Sequence, residues 1–354
     1  MLISALAAVQ GESNALGLSS KKSICVVMVD GLGFYNLKDA AGHARHLNSL
    51  HVEKASCYFP ATTSTSLTSF ATGKRPDETG FYGYNLFDRS TGQAMNLLSG
   101  WVDQESARSF QRLTTVSETA KELGIELDVI SQSTYQDTGL TAATMPAAKF
   151  RVAESIESRF EKATQVLKQS EHRVIYLYIP ELDQTAHHYG AGSNKWIEQV
   201  ELLDSLVGKF LSELPSHAGV IITADHGVID VKEQDKIFMD EVIRSEELLF
   251  VGGDTRGLMI YLKDQSRRQD KMEVVKSVLG DSCYVFEIDE LLSSGYWRSS
   301  GDRPELLPDF WIVARKNVAL YHRAFSRPKS LRNIGHHGGF SERELTIPLI
   351  RVNC

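Results

Sequence analysis

Four short stretches of the chain carry carboxylates, imidazoles and hydroxyls of the types that metal-assisted phosphoryl transfer needs. They are CVVMVDGLG, FPATTSTSLTSFATG, YIPELDQTAHHYG and IITADHG, and a fifth, IGHHGGF, completes the set. Asp183 and His187 stand four residues apart. On a helix that spacing puts both side chains on one side, where together they can hold one divalent ion. Asp225 and His226 are adjacent just past an apolar run, where a turn can aim both at one point. Asp30 ends another apolar run, and His337 lies in a glycine-flanked loop that allows close approach. These six residues offer nitrogen and oxygen ligands of the kind that borderline metals such as zinc accept. Two such ions about 4 Å apart can clamp the attacking and leaving oxygens of an in-line displacement.

Each residue alone has an ordinary explanation. A single Asp after a strand commonly caps a turn or helix, and a lone histidine pair is commonly a surface feature. The joint pattern is what points to a metal centre: three strand-end acids, two of them with a partnered His, and a His between glycines. The hydroxyls of Thr62, Thr63, Ser64, Thr65 and Ser66 crowd the start of an expected helix. One must serve as the N-cap. The same helix start offers free N–H groups to an anion. A metal-bound hydroxyl there is an alkoxide nucleophile near neutral pH, and the neighbouring N–H groups can hold phosphoryl oxygens.

Positioning these groups requires strands that end at one edge. Apolar runs at 23–30, 127–131, 173–179 and 219–223 read as strands. Segments 64–72, 117–123, 153–169 and 194–214 read as helices, the first stopped by Gly73 with Pro76 shortly after. Alternating strands and helices imply a mostly parallel sheet covered on both faces, with ligands bound at the carboxyl ends of the strands. From about 238 to 333 the rhythm changes to expected strands at 258–262, 283–286 and 310–314 and helices at 271–279 and 288–293. The expected organisation is a catalytic core of residues 1–237 and 334–354 and an inserted α+β lobe of residues 238–333, a cap that could shape substrate access.

The 354-residue chain has the apolar and charged fractions of an ordinary globular protein. A net charge of −7 disfavours nucleic-acid backbone binding as its main role. Cys25, Cys57, Cys283 and Cys354 show no paired spacing, which argues against a disulfide framework or a thiolate zinc site. The N-terminal MLISALAAVQG lacks a basic region before its short apolar run and reads as a structural helix. No run approaches the roughly 20 apolar residues of a membrane span. The expected protein works away from membranes, in the cytoplasm, on a small molecule.

In the order and spacing of these motifs the sequence resembles the alkaline phosphatase superfamily, and within it the type I phosphodiesterase/nucleotide pyrophosphatase branch. The resemblance rests on Asp30, the run from Pro60 to Gly73, Asp183 with His187, Asp225 with His226, and His337, and spans nearly the whole chain. It implies an α/β three-layer sandwich with a central, mostly parallel sheet. It places the nucleophile on Thr63, with Thr62 as the neighbouring alternative. One zinc would be held by Asp183, His187 and His337, and the other by Asp30, Asp225 and His226, with Thr63 bridging to phosphorus. The implied reaction is hydrolysis of phosphodiester or nucleotide pyrophosphate bonds through a phospho-threonine intermediate. A phosphomonoesterase, phosphonate hydrolase or phosphomutase on the same core, or a metal-binding protein without turnover, are the alternatives.

Tyr178 matches the family's base-stacking tyrosine. Two positions depart from the pattern. Ser64 stands where an aromatic wall of the base slot often follows the nucleophile. The phosphoryl-binding Asn falls on Tyr84, with Asn85 one place along. Tyr82 and Tyr84 are then candidates for a different aromatic wall, and Tyr84 for the missing hydrogen bond. No sulfatase signature is present.

Overall fold

Segments Ser23–Val29 and Arg173–Ile179 are buried at every position, which suits strands inside a sheet covered on both sides. The computed structural model, which describes residues 1–169 and 171–354, pairs them in parallel from Ser23 opposite Arg173 to Val29 opposite Ile179. They lie inside a seven-stranded sheet. Its order is Val52–Ser56, Thr346–Val352, Ala218–Thr223, Ser23–Val29, Arg173–Ile179, Glu126–Ser131, Lys149–Val152. Only Thr346–Val352 runs opposite to the other six strands.

Side chains alternate between two apolar layers because successive strand residues face opposite ways. Ile24, Val26 and Met28 join one layer, with residues of helices Leu2–Gln10, Thr63–Thr72 and Val116–Glu122. Cys25, Val27 and Val29 join the other, with helices Ile156–Leu167, Glu181–Tyr189 and Asn194–Ser212. The result is an alkaline-phosphatase-like α/β three-layer sandwich. The apolar N-terminal segment is the structural helix expected: Leu2, Ala5, Leu6 and Val9 are buried, and Gly11 ends it in the left-handed conformation at φ 78°. Among the described residues no helix is long and apolar enough to cross a membrane.

A second sheet of four antiparallel strands has the order Leu248–Asp254, Gly257–Leu262, Phe310–Ala314, Cys283–Phe286. Helix Arg268–Leu279 packs on it through Met272, Val275 and Leu279. This sheet also touches the larger core through Trp311, which packs edge-on against Trp297 at 5.8 Å, and Trp297 meets Tyr82 with ring centroids 4.8 Å apart.

Several elements go beyond the periodicity-based expectation. Val52–Ser56, Thr346–Val352, Leu248–Asp254 and the hairpin Asn85–Asp88/Gln93–Asn96 are strands. The expected helix at 153–169 starts at Ile156, because the Ser155 hydroxyl caps it by accepting from the Ser158 N–H at 3.1 Å.

Candidate metal centre

Strands Ala218–Thr223, Ser23–Val29 and Arg173–Ile179 are neighbours, and their carboxyl ends deliver three acids to one place. Asp30 directly follows the middle strand. Asp225 lies in the turn after Thr223. Asp183 lies in the first turn of helix Glu181–Tyr189, and that helix carries His187 one turn on. The Asp225 Oδ1 accepts from the N–H groups of Gly31 at 3.1 Å and His226 at 3.0 Å. Gly31 must be glycine: its φ is +73°, and a Cβ there would sit 2.9 Å from the Asp183 Cβ.

The three candidate histidines are oriented in the same way. Nδ1 of His187 lies 2.8 Å from the Gly335 carbonyl, Nδ1 of His337 2.9 Å from that of Ala61, and Nδ1 of His226 3.3 Å from that of Gly227. A carbonyl can only accept, so each ring keeps a proton on Nδ1 and turns Nε2 toward the centre. His187 Nε2 is 3.2 Å from Asp183 Oδ2, and His337 Nε2 is 3.9 Å from Asp183 Oδ1. His226 Nε2 is 3.4 Å from both Asp30 Oδ1 and Asp225 Oδ2. The rings of His226 and His337 stack with centroids 3.9 Å apart.

Two sets have ligand atoms within 4.8 Å of one another: Asp183, His187 and His337, and Asp30, Asp183 and His226. The first is the set expected for one ion. The second differs from expectation by holding Asp183 where Asp225 was expected. Asp225 is alongside, with one oxygen committed to backbone N–H groups and the other facing His226. Asp183 therefore lies between the two groups.

Charge at the centre is unbalanced. Burial, with Asp225 and Asp183 nearby, pushes the Asp30 carboxyl well above its ordinary range. Burial likewise raises Asp225 to about 6, against the Gly31 N–H. Burial lowers His226 to about 4, and burial with the neighbouring His226 lowers His337 to about 3. Asp30 Oδ1, Asp183 Oδ1 and Asp225 Oδ2 are buried without a hydrogen-bond partner among the described residues. Buried carboxylate oxygens without partners are costly. Divalent cations would relieve that cost, and neutral imidazoles with carboxylates form a donor set that such ions accept.

Thr63 opens helix Thr63–Thr72, with its hydroxyl 3.3 Å from His226 Nε2. The first intrahelical bond runs from Ser66 N–H to the Thr62 carbonyl, so the N–H groups of residues 63–65 precede the ladder. The other hydroxyls of the cluster turn elsewhere. Ser64 donates to the Gly83 carbonyl and Thr65 to that of Phe81. The Thr62 hydroxyl lies near Asp254 and favours its carboxylate. His336 and His188, the second histidines of their pairs, are also held elsewhere, His336 by Thr255 at 2.8 Å and His188 by the Gln184 carbonyl at 2.9 Å.

A cavity of about 760 Å³ opens over this edge, within the range of small-molecule sites. Asp30, Thr63, Asp183, His187 and His337 line its floor. Tyr84 and Asn85 line a wall, and the Asn96 amide donates to Asn85 Oδ1 at 2.8 Å. Tyr178 also lines it, but its hydroxyl donates to Asp30 Oδ2. Its ring meets Tyr135 edge-on at 5.5 Å. Tyr82 is not part of this wall: it is fully buried against Trp297, because residue 82 faces into the core. Ser64 is buried too and forms no wall.

Tyr135 and Asp254 are cavity residues that motif reasoning did not find. Tyr135 sits in a four-residue helix with no motif. Asp254 follows the apolar run LLFVGG, the same acid-after-strand signal that marks Asp30. Burial raises its carboxyl from 3.8 to about 7.

The profile described as Type I phosphodiesterase / nucleotide pyrophosphatase matches residues 24–340. No curated protein matches the sequence. Among solved structures, murine ectonucleotide pyrophosphatase/phosphodiesterase 5 is similar at 17% identity and TM-score 0.71, over 92% of this chain and 87% of that one. An inactive threonine-to-alanine variant of the murine protein in complex with AMP is similar at 16% identity and TM-score 0.70, over 92% and 87%. Phosphonoacetate hydrolase from Sinorhizobium meliloti 1021, in complex with phosphonoformate, is similar at 18% identity and TM-score 0.70, over 92% and 89%. The profile match takes in all five stretches from which the centre is built, and the chain belongs to the type I phosphodiesterase/nucleotide pyrophosphatase family of hydrolases.

Proposed function

We propose that the protein hydrolyses phosphodiester or nucleotide pyrophosphate bonds of small molecules by attack of Thr63 at a two-zinc site. The observation that carries this reading is the Thr63 hydroxyl, set at a helix N-terminus 3.3 Å from His226 and beside two potential ligand sets. Asp183, His187 and His337 would hold one ion, and Asp30, Asp225 and His226 the other, with Asp183 between them. Bound there, the ions would supply positive charge for phosphoryl oxygens and lower the pKa of a coordinated hydroxyl.

The chain's own groups do the rest. The Thr63 oxygen attacks phosphorus, and the leaving alcohol or phosphate departs on the opposite side. The N–H groups of Ser64 and Thr65 meet the phosphoryl oxygens as charge builds on them. Tyr178 keeps Asp30 in place through its hydroxyl and presents its ring, with Tyr135 and Tyr84, to the organic part of the substrate. Water then cleaves the phospho-threonine and restores the hydroxyl. The inactivity of a threonine-to-alanine variant in the murine relative supports a threonine in this role.

We also read residues 238–333 as a lobe that supplies one cavity wall, since Phe250, Asp254, Arg327 and Lys329 all line it. The four free cysteines suit a reducing compartment, and we place the protein in the cytoplasm. Phosphonate hydrolysis is the second reading. Phosphonoacetate hydrolase is about as similar in fold, and Arg327 and Lys329 at the mouth can pair a second anionic group of a substrate.

The test is turnover of bis-p-nitrophenyl phosphate, a dinucleoside pyrophosphate and phosphonoacetate by zinc-loaded protein, with metal content measured on the same samples. Thr63→Ala should abolish turnover with zinc retained, and Thr63→Ser should keep part of the rate. Loss in Thr62→Ala with normal rates in Thr63→Ala would move the nucleophile by one residue.

A further inference from the structure

Asn36 is a buried amide that the proposed mechanism leaves unused. It lies in helix Phe34–Asp39, which follows Asp30 through the turn Gly31, Leu32, Gly33. Asn36 Nδ2 donates to the Val228 carbonyl at 3.0 Å, and its Oδ1 accepts from the Val228 N–H at 3.1 Å. The N–H can only donate and the carbonyl can only accept, so the amide has one orientation. The side chain thus grips a residue of the Asp225–His226 turn as a neighbouring strand would.

The grip reaches His226 through one peptide unit. The Val228 N–H and the Gly227 carbonyl belong to the same planar trans peptide and point opposite ways. On one side the N–H meets Asn36, and on the other the carbonyl lies 3.3 Å from His226 Nδ1. Holding the N–H therefore holds the carbonyl that orients the ring, and with it the direction of Nε2. That nitrogen is 3.3 Å from the Thr63 hydroxyl and 3.4 Å from both Asp30 Oδ1 and Asp225 Oδ2.

The two turns cross closely at this point. A Cβ on Gly33 would lie 2.5 Å from the Gly227 Cα and 2.7 Å from Asn36 Oδ1. A Cβ on Gly227 would lie 2.0 Å from the Arg343 carbonyl oxygen. The Gly227 N–H donates to the Glu344 carbonyl at 2.9 Å. Buried backbone groups need partners, and Asn36 supplies a partner to the N–H and to the carbonyl of Val228.

We propose that Asn36 is a positioning residue for His226: its amide clamps the Gly227–Val228 peptide, which holds the imidazole with Nε2 toward Thr63 and the carboxylates of Asp30 and Asp225. Its effect on zinc rests on the two-ion reading above, and its effect on the ring does not. Groups that orient a ligating histidine typically change metal affinity roughly 10–100-fold.

The experiment compares wild type with Asn36→Ala, Asn36→Leu, Asn36→Asp and Asn14→Ala. Asn14 clamps Leu18 through the same pair of bonds, at 3.0 and 2.9 Å, and does not line the cavity, so it controls for the loss of such a clamp. Asn36→Leu nearly keeps the volume, removes both bonds and carries the test if Asn36→Ala fails to fold. In zinc-free protein, heteronuclear NMR of the histidine rings, with His226 assigned from His226→Gln, should show the Nδ1–H tautomer in wild type and in Asn14→Ala. Asn36→Ala and Asn36→Leu should lose that preference, and Asn36→Asp, which keeps an acceptor for the Val228 N–H, should retain it. Calorimetry with zinc should show one ion bound at least tenfold more weakly in Asn36→Ala, with the ion of Asp183, His187 and His337 little changed. A merely structural role would weaken both ions in parallel and leave the tautomer alone. An unchanged tautomer in both Asn36→Ala and Asn36→Leu overturns the proposal, as does equal weakening of the two ions. If the wild type takes up fewer than two ions, the two-zinc reading fails by itself, and the tautomer still decides the part of Asn36.

Discussion

Removing the guanidinium of Arg256 should destabilise the protein strongly, and removing Arg256 and Glu344 together should cost clearly less than the two single losses added. Both side chains are fully buried. Arg256 Nη2 donates to Glu344 Oε2 at 3.1 Å, Nε lies 3.0 Å from Oε1, and Nη1 donates to the carbonyls of Lys316 and Val318 at 3.0 and 2.8 Å. Glu344 in turn accepts from the Gly339 N–H at 2.7 Å and from the Ser341 hydroxyl at 2.5 Å. Arg256→Met leaves the Glu344 carboxylate inside the protein with two neutral donors. Stranding one member of a buried pair costs about 3–5 kcal/mol, or roughly a 10²–10⁴-fold shift in the folding constant. Arg256→Met with Glu344→Met removes both charges and should cost clearly less than the sum of the single changes, with a coupling of about 2 kcal/mol or more between these contacting residues. Urea unfolding of the chelated protein, followed by circular dichroism across the four members of the cycle, measures this. A coupling below about 0.5 kcal/mol, the scatter of independent sites, would refute it. Gly339 is two residues from His337, so the single variants should also bind added zinc more weakly.

Zinc loading should release protons. Burial alone would lower the His187 pKa, but the Asp183 carboxylate outweighs burial and raises it from 6.5 to about 9. Zinc takes the neutral ring, so at pH 7.5 about one proton should leave per Asp183–His187 pair, and affinity should climb as pH rises toward about 9. Calorimetry in buffers of different ionisation enthalpy reads the proton count, and a count of zero would contradict the pairing. In metal-free protein the same pair contributes stability that is full below about pH 6.5 and lost as pH rises through about 9. His337→Ala and His187→Ala should each remove bound metal and activity, while His336→Ala and His188→Ala should keep most of both. Elemental analysis with rates on the four variants would expose an error of register. Tyr178→Phe should weaken all substrates alike, because it strips a donor from Asp30. Tyr178→Ala should add a loss specific to nucleotides, since stacking contributes roughly 1–3 kcal/mol per base. Equal nucleotide and aryl-ester losses in both variants would argue against a stacking role.

The parallel strands that carry the acids are legible in the sequence because they are buried on both faces and so are nearly uninterrupted apolar runs. Val52–Ser56 is not, since its sequence VEKAS is half exposed and follows no apolar pattern. Thr346–Val352 contains Pro348, which argues against an interior strand. The structure accommodates it because the ladder to Ala218–Thr223 begins only at Leu349, so Pro348 pairs with Lys54 alone. The Asp/His cluster that could hold metal is legible because ligand chemistry restricts candidates to a few residue types at fixed spacings. The aromatic residues are not, because a tyrosine at the cavity and one in the core look the same in a string of letters. Tyr82 and Tyr84 are two residues apart, yet one packs on Trp297 and the other lines the cavity. Tyr178 shows a further limit: its position in the motif suggested stacking, and its hydrogen bond to Asp30 comes from the register of two adjacent strands.

The strand Thr346–Val352 sets a schedule for synthesis. Strand Val52–Ser56 has no partner in the seven-stranded sheet except this one, and Glu53 meets Arg351 across 298 residues of sequence. Until that late segment leaves the ribosome, the earlier strand is an open edge, available to the wrong neighbour. His337 is made only shortly before it. The nascent chain can therefore form most of its sheet and three carboxylates while lacking the last imidazole. A copy made only as far as residue 336 would lack the full candidate ligand set, and metal capture by that set would report that the segment carrying His337 has been made.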